Sequence, residues 1–132
     1  MKHPAELALH QYMENAANGK STMSSETIRQ IGLNVMSAVA RQFGGGNKRG
    51  EFGLRMSNVG RPTCQLWFDK NEPEKALPLP TTFVMNMMIG DIVEAVFKGL
   101  LTEAGVQYED DAKVTLNLDN GTSISGTYDI VI

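Results

Sequence analysis

What this chain lacks narrows it first. A single cysteine, Cys64, excludes an internal disulfide and any four-cysteine zinc or iron–sulfur site built from these residues alone. No apolar run approaches the roughly 20 residues that a membrane-spanning helix needs. The start, Met1-Lys2-His3-Pro4-Ala5-Glu6, carries no apolar signal-peptide core. Net basic charge is missing too: the formal charge is −3 over 132 residues, so no global polycationic signature points to nucleic acid. Repeats and low-complexity tracts are also absent. These absences leave one globular domain, or most of one, long enough to bury a core, with the cytoplasm as the expected compartment.

The charge that is present is unevenly spread. Between Arg41 and Arg61 five bases (Arg41, Lys48, Arg49, Arg55, Arg61) stand against one acid, Glu51. Between Glu103 and Asp129 six acids (Glu103, Glu109, Asp110, Asp111, Asp119, Asp129) stand against one base, Lys113. A basic middle and an acidic end suit a chain that holds a phosphate backbone in one place and a divalent cation in another. Chance clustering of solvated charges gives the same pattern.

Hydrophobic spacing predicts helices. Ala5 to Ala17 has helical composition but a weak stripe, ended by Asn18-Gly19. Ser24 or Ser25 can cap a stronger helix, in which Ile28, Ile31, Val35, Val39 and Phe43 recur at three- and four-residue steps. Gly44-Gly45-Gly46 stops it, and a Gly-rich loop centred on Lys48 and Arg49 follows. Phe52 to Met56 reads as a short extended piece. Pro62 suits the first position of a helix over Thr63 to Lys70. Its Cys64, Trp67 and Phe68 are expected in the core, although the two aromatics could also stack on bases. Thr81 or Thr82 is expected to cap the longest helix, which runs to about Ala104 and stops at Gly105. Val84, Met88, Ile92, Ala95, Val96, Gly99 and Leu100 form its apolar face, and Asp91, Glu94 and Lys98 share another edge.

The last segment reads as a β-hairpin. Val114, Leu116 and Leu118 alternate on the outgoing strand, Asp119-Asn120-Gly121 is turn chemistry, and the return strand alternates Ile124, Gly126, Tyr128, Ile130 against Ser125, Thr127, Asp129. The apolar ending Ile130-Val131-Ile132 has no cap or turn after it, which predicts that the natural strand runs on. Two carboxylates have chemical potential. Mg²⁺ takes hard oxygen ligands, keeps several waters and needs only one or two carboxylates from protein. Asp129 on a strand and Glu94 on a helix could supply them. The plainer reading makes Glu94 the i,i+4 partner of Lys98 and Asp129 a solvated strand residue.

Four blocks, in order, resemble the RecB-like branch of the PD-(D/E)XK nuclease superfamily, most of all its phage-encoded members. They are Ser57-Asn-Val-Gly-Arg-Pro-Thr-Cys-Gln-Leu-Trp-Phe68, Ile89-Gly-Asp-Ile-Val-Glu-Ala95, the acidic hairpin around Asp119-Asn120-Gly121, and Ile124-Ser-Gly-Thr-Tyr-Asp-Ile-Val-Ile132. The resemblance implies phosphodiester hydrolysis in DNA, through an exonuclease that uses Mg²⁺ or Mn²⁺. Asp129 would be a metal-binding catalytic carboxylate and Glu94 a direct or supporting one. Lys48, Arg49, Arg55 and Arg61 would hold DNA phosphates. The chain departs from the family pattern at Val93, where many members carry histidine. The acidic–x–lysine element expected after the Asp129 strand does not occur within these residues. Asp111-Ala112-Lys113 has that spacing but precedes Asp129, the reverse of the family order.

The expected fold is therefore α+β, an incomplete α/β nuclease core. Residues 1–56 would be an N-terminal helical region with a basic Gly-rich loop. Residues 57–132 would be the first part of the core, with a hairpin that starts a mixed sheet. Expected partners are DNA, no membrane, and a homo-oligomer or larger assembly. The host cytoplasm is the expected site if the gene is phage-borne. As given, the fragment is expected to be catalytically silent. The rival is a non-catalytic DNA-binding or assembly module on the same scaffold.

Overall fold

The structure, a computed structural model, describes residues 2–44 and 51–132. In chain order they form α1 (Pro4–Ala17), α2 (Ser25–Phe43), α3 (Thr63–Asn71), a 3₁₀ turn (Pro73–Lys75), α4 (Thr81–Glu103), β1 (Glu109–Asn117) and β2 (Ser123–Val131). The fold class is α+β, with four helices and a two-stranded antiparallel sheet among the described residues. The chain divides into two compact units, one of α1, α2 and α4, the other of α3, the 3₁₀ turn and the hairpin. No described helix is long and apolar enough to cross a membrane.

The helical unit is built on α2 packed along α4, with α1 touching α4 more lightly. Thr27 and Ile31 of α2 meet Gly99 of α4: a Cβ there would lie 2.5 Å from Ile31 Cδ1 and 3.3 Å from Thr27 Cγ2. Arg41 near the end of α2 reaches Asp91, with Nη2 3.4 Å from Oδ2. Early α2 thus meets late α4 and late α2 meets earlier α4, so the two helices run antiparallel.

The buried line of α2 differs from the stripe expected from spacing. Thr27 and Ala38 are buried and Ile31 and Val35 half-buried, while Ile28, Val39 and Phe43 of the expected stripe are exposed. Part of the stripe therefore packs, where Gly99 admits Ile31 and Thr27 at close range, and the rest stays in solvent. On α4 the expected face holds better: Ala95 and Gly99 are buried, Val84, Met88, Ile92 and Leu100 are half-buried, and only Val96 of that face is exposed. Leu101, 1% exposed, is the largest fully enclosed side chain among the described residues, and such burial contributes roughly 2 kcal/mol.

Local chemistry sets the helix ends. His3 caps α1, its Nδ1 accepting the Ala5 N–H at 3.2 Å. Ser24 caps α2, its hydroxyl accepting the Thr27 N–H at 3.2 Å, and Gly44 closes it. Pro80, not a threonine, occupies the cap position of α4, with Thr81 as the first helical residue; likewise Pro62 sits at the cap of α3, just outside its first turn. A proline lacks the N–H that the first turn leaves unpaired in any case. α4 ends in a Schellman motif: Gly105 N–H donates to the Thr102 carbonyl (3.1 Å) and Val106 N–H to that of Leu101 (3.0 Å). Gly105 has φ +72, the left-handed conformation this closure needs.

In the second unit the hairpin forms as the sequence predicts. Gly121 N–H donates to the Leu118 carbonyl (3.0 Å) and Leu118 N–H to that of Thr122 (2.8 Å). Gly121 has φ +79, so Asp119-Asn120-Gly121 is the three-residue turn that ends on a left-handed glycine. On the far edge of β2, Arg55 forms a parallel bridge with Ser125, through Met56 N–H to the Ser125 carbonyl (2.9 Å) and Ser125 N–H to that of Leu54 (3.0 Å). Strand β2 therefore has an antiparallel neighbour on one side and a parallel one on the other.

Candidate nucleic-acid interface

The hairpin register sorts its side chains. With Leu118 paired to Thr122, Thr115 lies across from Ser125 and Lys113 across from Thr127. Successive strand residues alternate between faces, so Lys113, Thr115, Ser125, Thr127 and Asp129 share one face. Directly bridged residues point to the same side of a sheet, which adds Arg55. That face is polar throughout, while Val114, Leu116, Ile124, Tyr128 and Ile130 occupy the other. Asp111, with φ +52, interrupts the regular pleat of β1 below Lys113. Asp129 is exposed, four residues or about 13 Å along β2 from the Arg55 bridge.

The turn that carries Arg55 is firmly tied. Asn58 Oδ1 accepts the Arg55 N–H at 2.7 Å, and the Asn58 amide donates to the Gly53 carbonyl at 3.1 Å. Asn58 and Val59 N–H groups both donate to the Arg55 carbonyl. The backbone is fixed while the Arg55 guanidinium remains exposed. Arg61 pairs with Asp69 of α3 at 3.7 Å, with both side chains partly solvated. Such pairs are worth about 0–1 kcal/mol, so a phosphate can exchange for the carboxylate. Lys48 and Arg49 lie outside the described residues.

Glu94 and Asp129 fall in different units, Glu94 on α4 and Asp129 on β2. Glu94 Oε1 lies 2.7 Å from the Lys98 ammonium, and Lys98 is only 7% exposed. The i,i+4 pair is thus real, and it is more than surface decoration. A buried ammonium needs a counter-charge, because desolvation otherwise favours its neutral form. The burial of Lys98 had no signal in the spacing, which put it only on another edge of the helix than the apolar face.

A second carboxylate that sequence reasoning did not single out is Glu103. It accepts hydrogen bonds from the Ser24 N–H (3.2 Å), the Ser24 hydroxyl (2.6 Å) and the Thr27 hydroxyl. The Ser24 and Thr27 hydroxyls, opposed weakly by burial, hold its carboxyl below the usual glutamate range. The end of α4 is thereby latched to the first turn of α2, where a carboxylate also meets the favourable end of the helix dipole. The partners are far apart in sequence, so no local motif announces them.

A cavity of about 170 Å³ lies in the helical unit, bordered by Gln30, Asn34, Lys98, Thr102 and Tyr108 among others. Several of its polar groups are engaged with one another. Gln30 donates to Asn34 (3.1 Å), and the Tyr108 hydroxyl lies 3.4 Å from both Thr102 Oγ1 and the Lys98 carbonyl. No nucleophile–base pair converges there. Among the described residues no three His, Cys, Asp or Glu side chains cluster as a metal site. Cys64, expected to be buried, is exposed, as are Trp67 and Phe68.

No family model, no curated protein and no solved structure matches this chain.

Proposed function

We propose that this chain carries the DNA-holding part of a metal-dependent deoxyribonuclease of PD-(D/E)XK type. One observation carries the reading: the exposed Asp129 carboxylate and the Arg55 guanidinium share the polar face of β2. An acidic group on β2 and a basic group on the segment bridged to it, both on one sheet face, suit a phosphodiester that must be neutralised by a cation at one point and held by its backbone at another.

Asp129 fits a hard divalent cation such as Mg²⁺ or Mn²⁺, whose remaining positions water and phosphate oxygen can fill. Bound there, the ion would lower the pKa of a water and offset charge on the scissile phosphate. Glu94 fits as a direct ligand less well, because its carboxylate serves Lys98 at 2.7 Å; its role in this reading is to pair with that buried side chain. Arg55 and Arg61 would bind phosphate, Arg61 by exchanging Asp69. Lys48 and Arg49 extend the basic segment in sequence.

The test uses the polypeptide that the gene encodes up to its stop codon, with Mg²⁺ and end-labelled linear DNA. Asp129→Asn should abolish cleavage and leave binding within about twofold, since binding rests on the phosphate contacts. Cleavage at the parent rate by Asp129→Asn would remove the carboxylate from the chemistry. Binding without cleavage by the parent protein would favour the non-catalytic module on this scaffold.

A further inference from the structure

Helix α3 carries two adjacent large aromatics on the side turned away from its own packing. A helix advances about 100° per residue. The half-buried positions of the segment are Leu66, Asp69 and Glu72, a three-residue line that marks the inward face. Trp67 and Phe68 flank the opposite direction, one on either side. They are 53% and 51% exposed and pack on each other edge to face, with centroids 5.1 Å apart and planes at 90°. A Trp–Phe pair held in fixed mutual geometry in solvent is unlike scattered surface apolar residues, which need no explanation. Two bases flank the pair in sequence: Arg61, exposed though paired with Asp69, precedes the helix, and exposed Lys70 follows Phe68, while Glu72 beyond it is taken up by Lys75.

From this arrangement we infer that Trp67 and Phe68 form a stacking platform for unpaired nucleobases, flanked by the arginines that hold the same strand's phosphates. The inference rests on the DNA reading above and deepens it. Aromatic faces combined with a basic track bind single strands with little sequence preference, because every base has a π-face. Bases stacked inside a closed duplex do not offer theirs. The chain therefore selects single-stranded or frayed ends over blunt duplex.

The test exploits a convenience of composition: Trp67 is the only tryptophan, so intrinsic emission reports on this site alone. With cation chelated to keep DNA intact, a twelve-nucleotide oligothymidine should quench Trp67 emission on saturation, and a blunt hairpin duplex should not. By anisotropy of a labelled oligonucleotide, Trp67→Leu should weaken single-strand binding about tenfold or more, while Trp67→Phe stays within about threefold. The slope of log affinity against log salt should be unchanged in Trp67→Leu and smaller by about 1 in Arg55→Ala, since only the arginine releases counterions. Should Trp67→Leu lose its helical circular dichroism, the emission titration and Trp67→Phe decide alone. Tight oligonucleotide binding with unaltered Trp67 emission, or parent-like affinity in Trp67→Leu, overturns the platform and leaves the DNA reading standing. Failure to bind either DNA at low salt overturns both.

Discussion

The two units differ most in what they enclose. Among the described residues every buried position, from Ala5 and Thr27 through Ala38 to Ala95, Lys98, Gly99 and Leu101, lies on α1, α2 or α4. The unit of α3 and the hairpin contains none. Its sheet is amphipathic all the same, yet Val114 and Leu116 are 56% and 57% exposed on the apolar face. A two-stranded hairpin has too little area to enclose a core and is marginal by itself. The helical unit draws stability from packing, whereas the hairpin unit draws its order from a tight turn, a knotted Asn58 loop and one parallel bridge.

That contrast can be broken by mutation, and the largest expected effect is at Leu101. Leu101→Ala should cost about 2–5 kcal/mol by chemical denaturation, because the side chain is fully enclosed. Val114→Ala and Leu116→Ala should each cost under about 0.5 kcal/mol, as surface substitutions do. Equal costs on the two sides would mean that the hairpin's apolar face is covered in solution. Next in size is Gly99→Val, whose Cβ must displace Ile31; overpacking there should cost about 1–3 kcal/mol, whereas Gly53→Val, in the other unit with open space around it, should be nearly silent.

Ser24→Ala should cost about 1 kcal/mol by loss of the α2 cap and should also remove one of the three hydrogen bonds that hold Glu103. The sign of the pH effect follows from the lowered Glu103 value. A carboxyl that is more acidic folded than unfolded stabilises above its unfolded pKa, near the ordinary 4.5. That contribution fades as pH falls through the depressed folded value. Thermal melts from pH 6 downward should show this acid loss in the parent and a shallower one in Glu103→Gln. The smallest effect is kinetic: β1 amides should exchange with solvent faster than those of mid-α4, since local opening is easiest where few apolar contacts are broken. Comparable protection in β1 and α4 would contradict the division.

Local signals were legible and long-range ones were not. The Ser24 cap, the Gly44 and Gly105 stops, the hairpin turn and the in–out alternation of β2 all depend on neighbours within five residues, and spacing found them. Register of packing depends on a partner. Of the stripe expected on α2, Ile31 and Val35 are partly buried and Ile28, Val39 and Phe43 are exposed, with Thr27 and Ala38 buried instead; Gly99, far along the chain, is what Thr27 and Ile31 meet. The burial of Lys98 likewise depends on packing that spacing does not record. Cys64, Trp67 and Phe68 were expected in a core on residue type, yet α3 turns Leu66 and Asp69 inward instead. At the candidate site Asp129 and Arg55 were each legible as chemistry-bearing residues. Their common face was not, because a one-residue parallel bridge leaves no trace in composition.

The antiparallel pairing of α2 with α4 has a consequence for how this gene can be edited. Ser24 is latched to Glu103 at one end of the pair and Arg41 pairs with Asp91 towards the other, a clasp made of residues from the helical unit. Residues 51–79, which separate the two helices in sequence, belong to the other unit. Swapping that segment for a short Gly-Ser tether should leave the clasp assembled and strip away Arg55, Arg61 and the aromatic pair together.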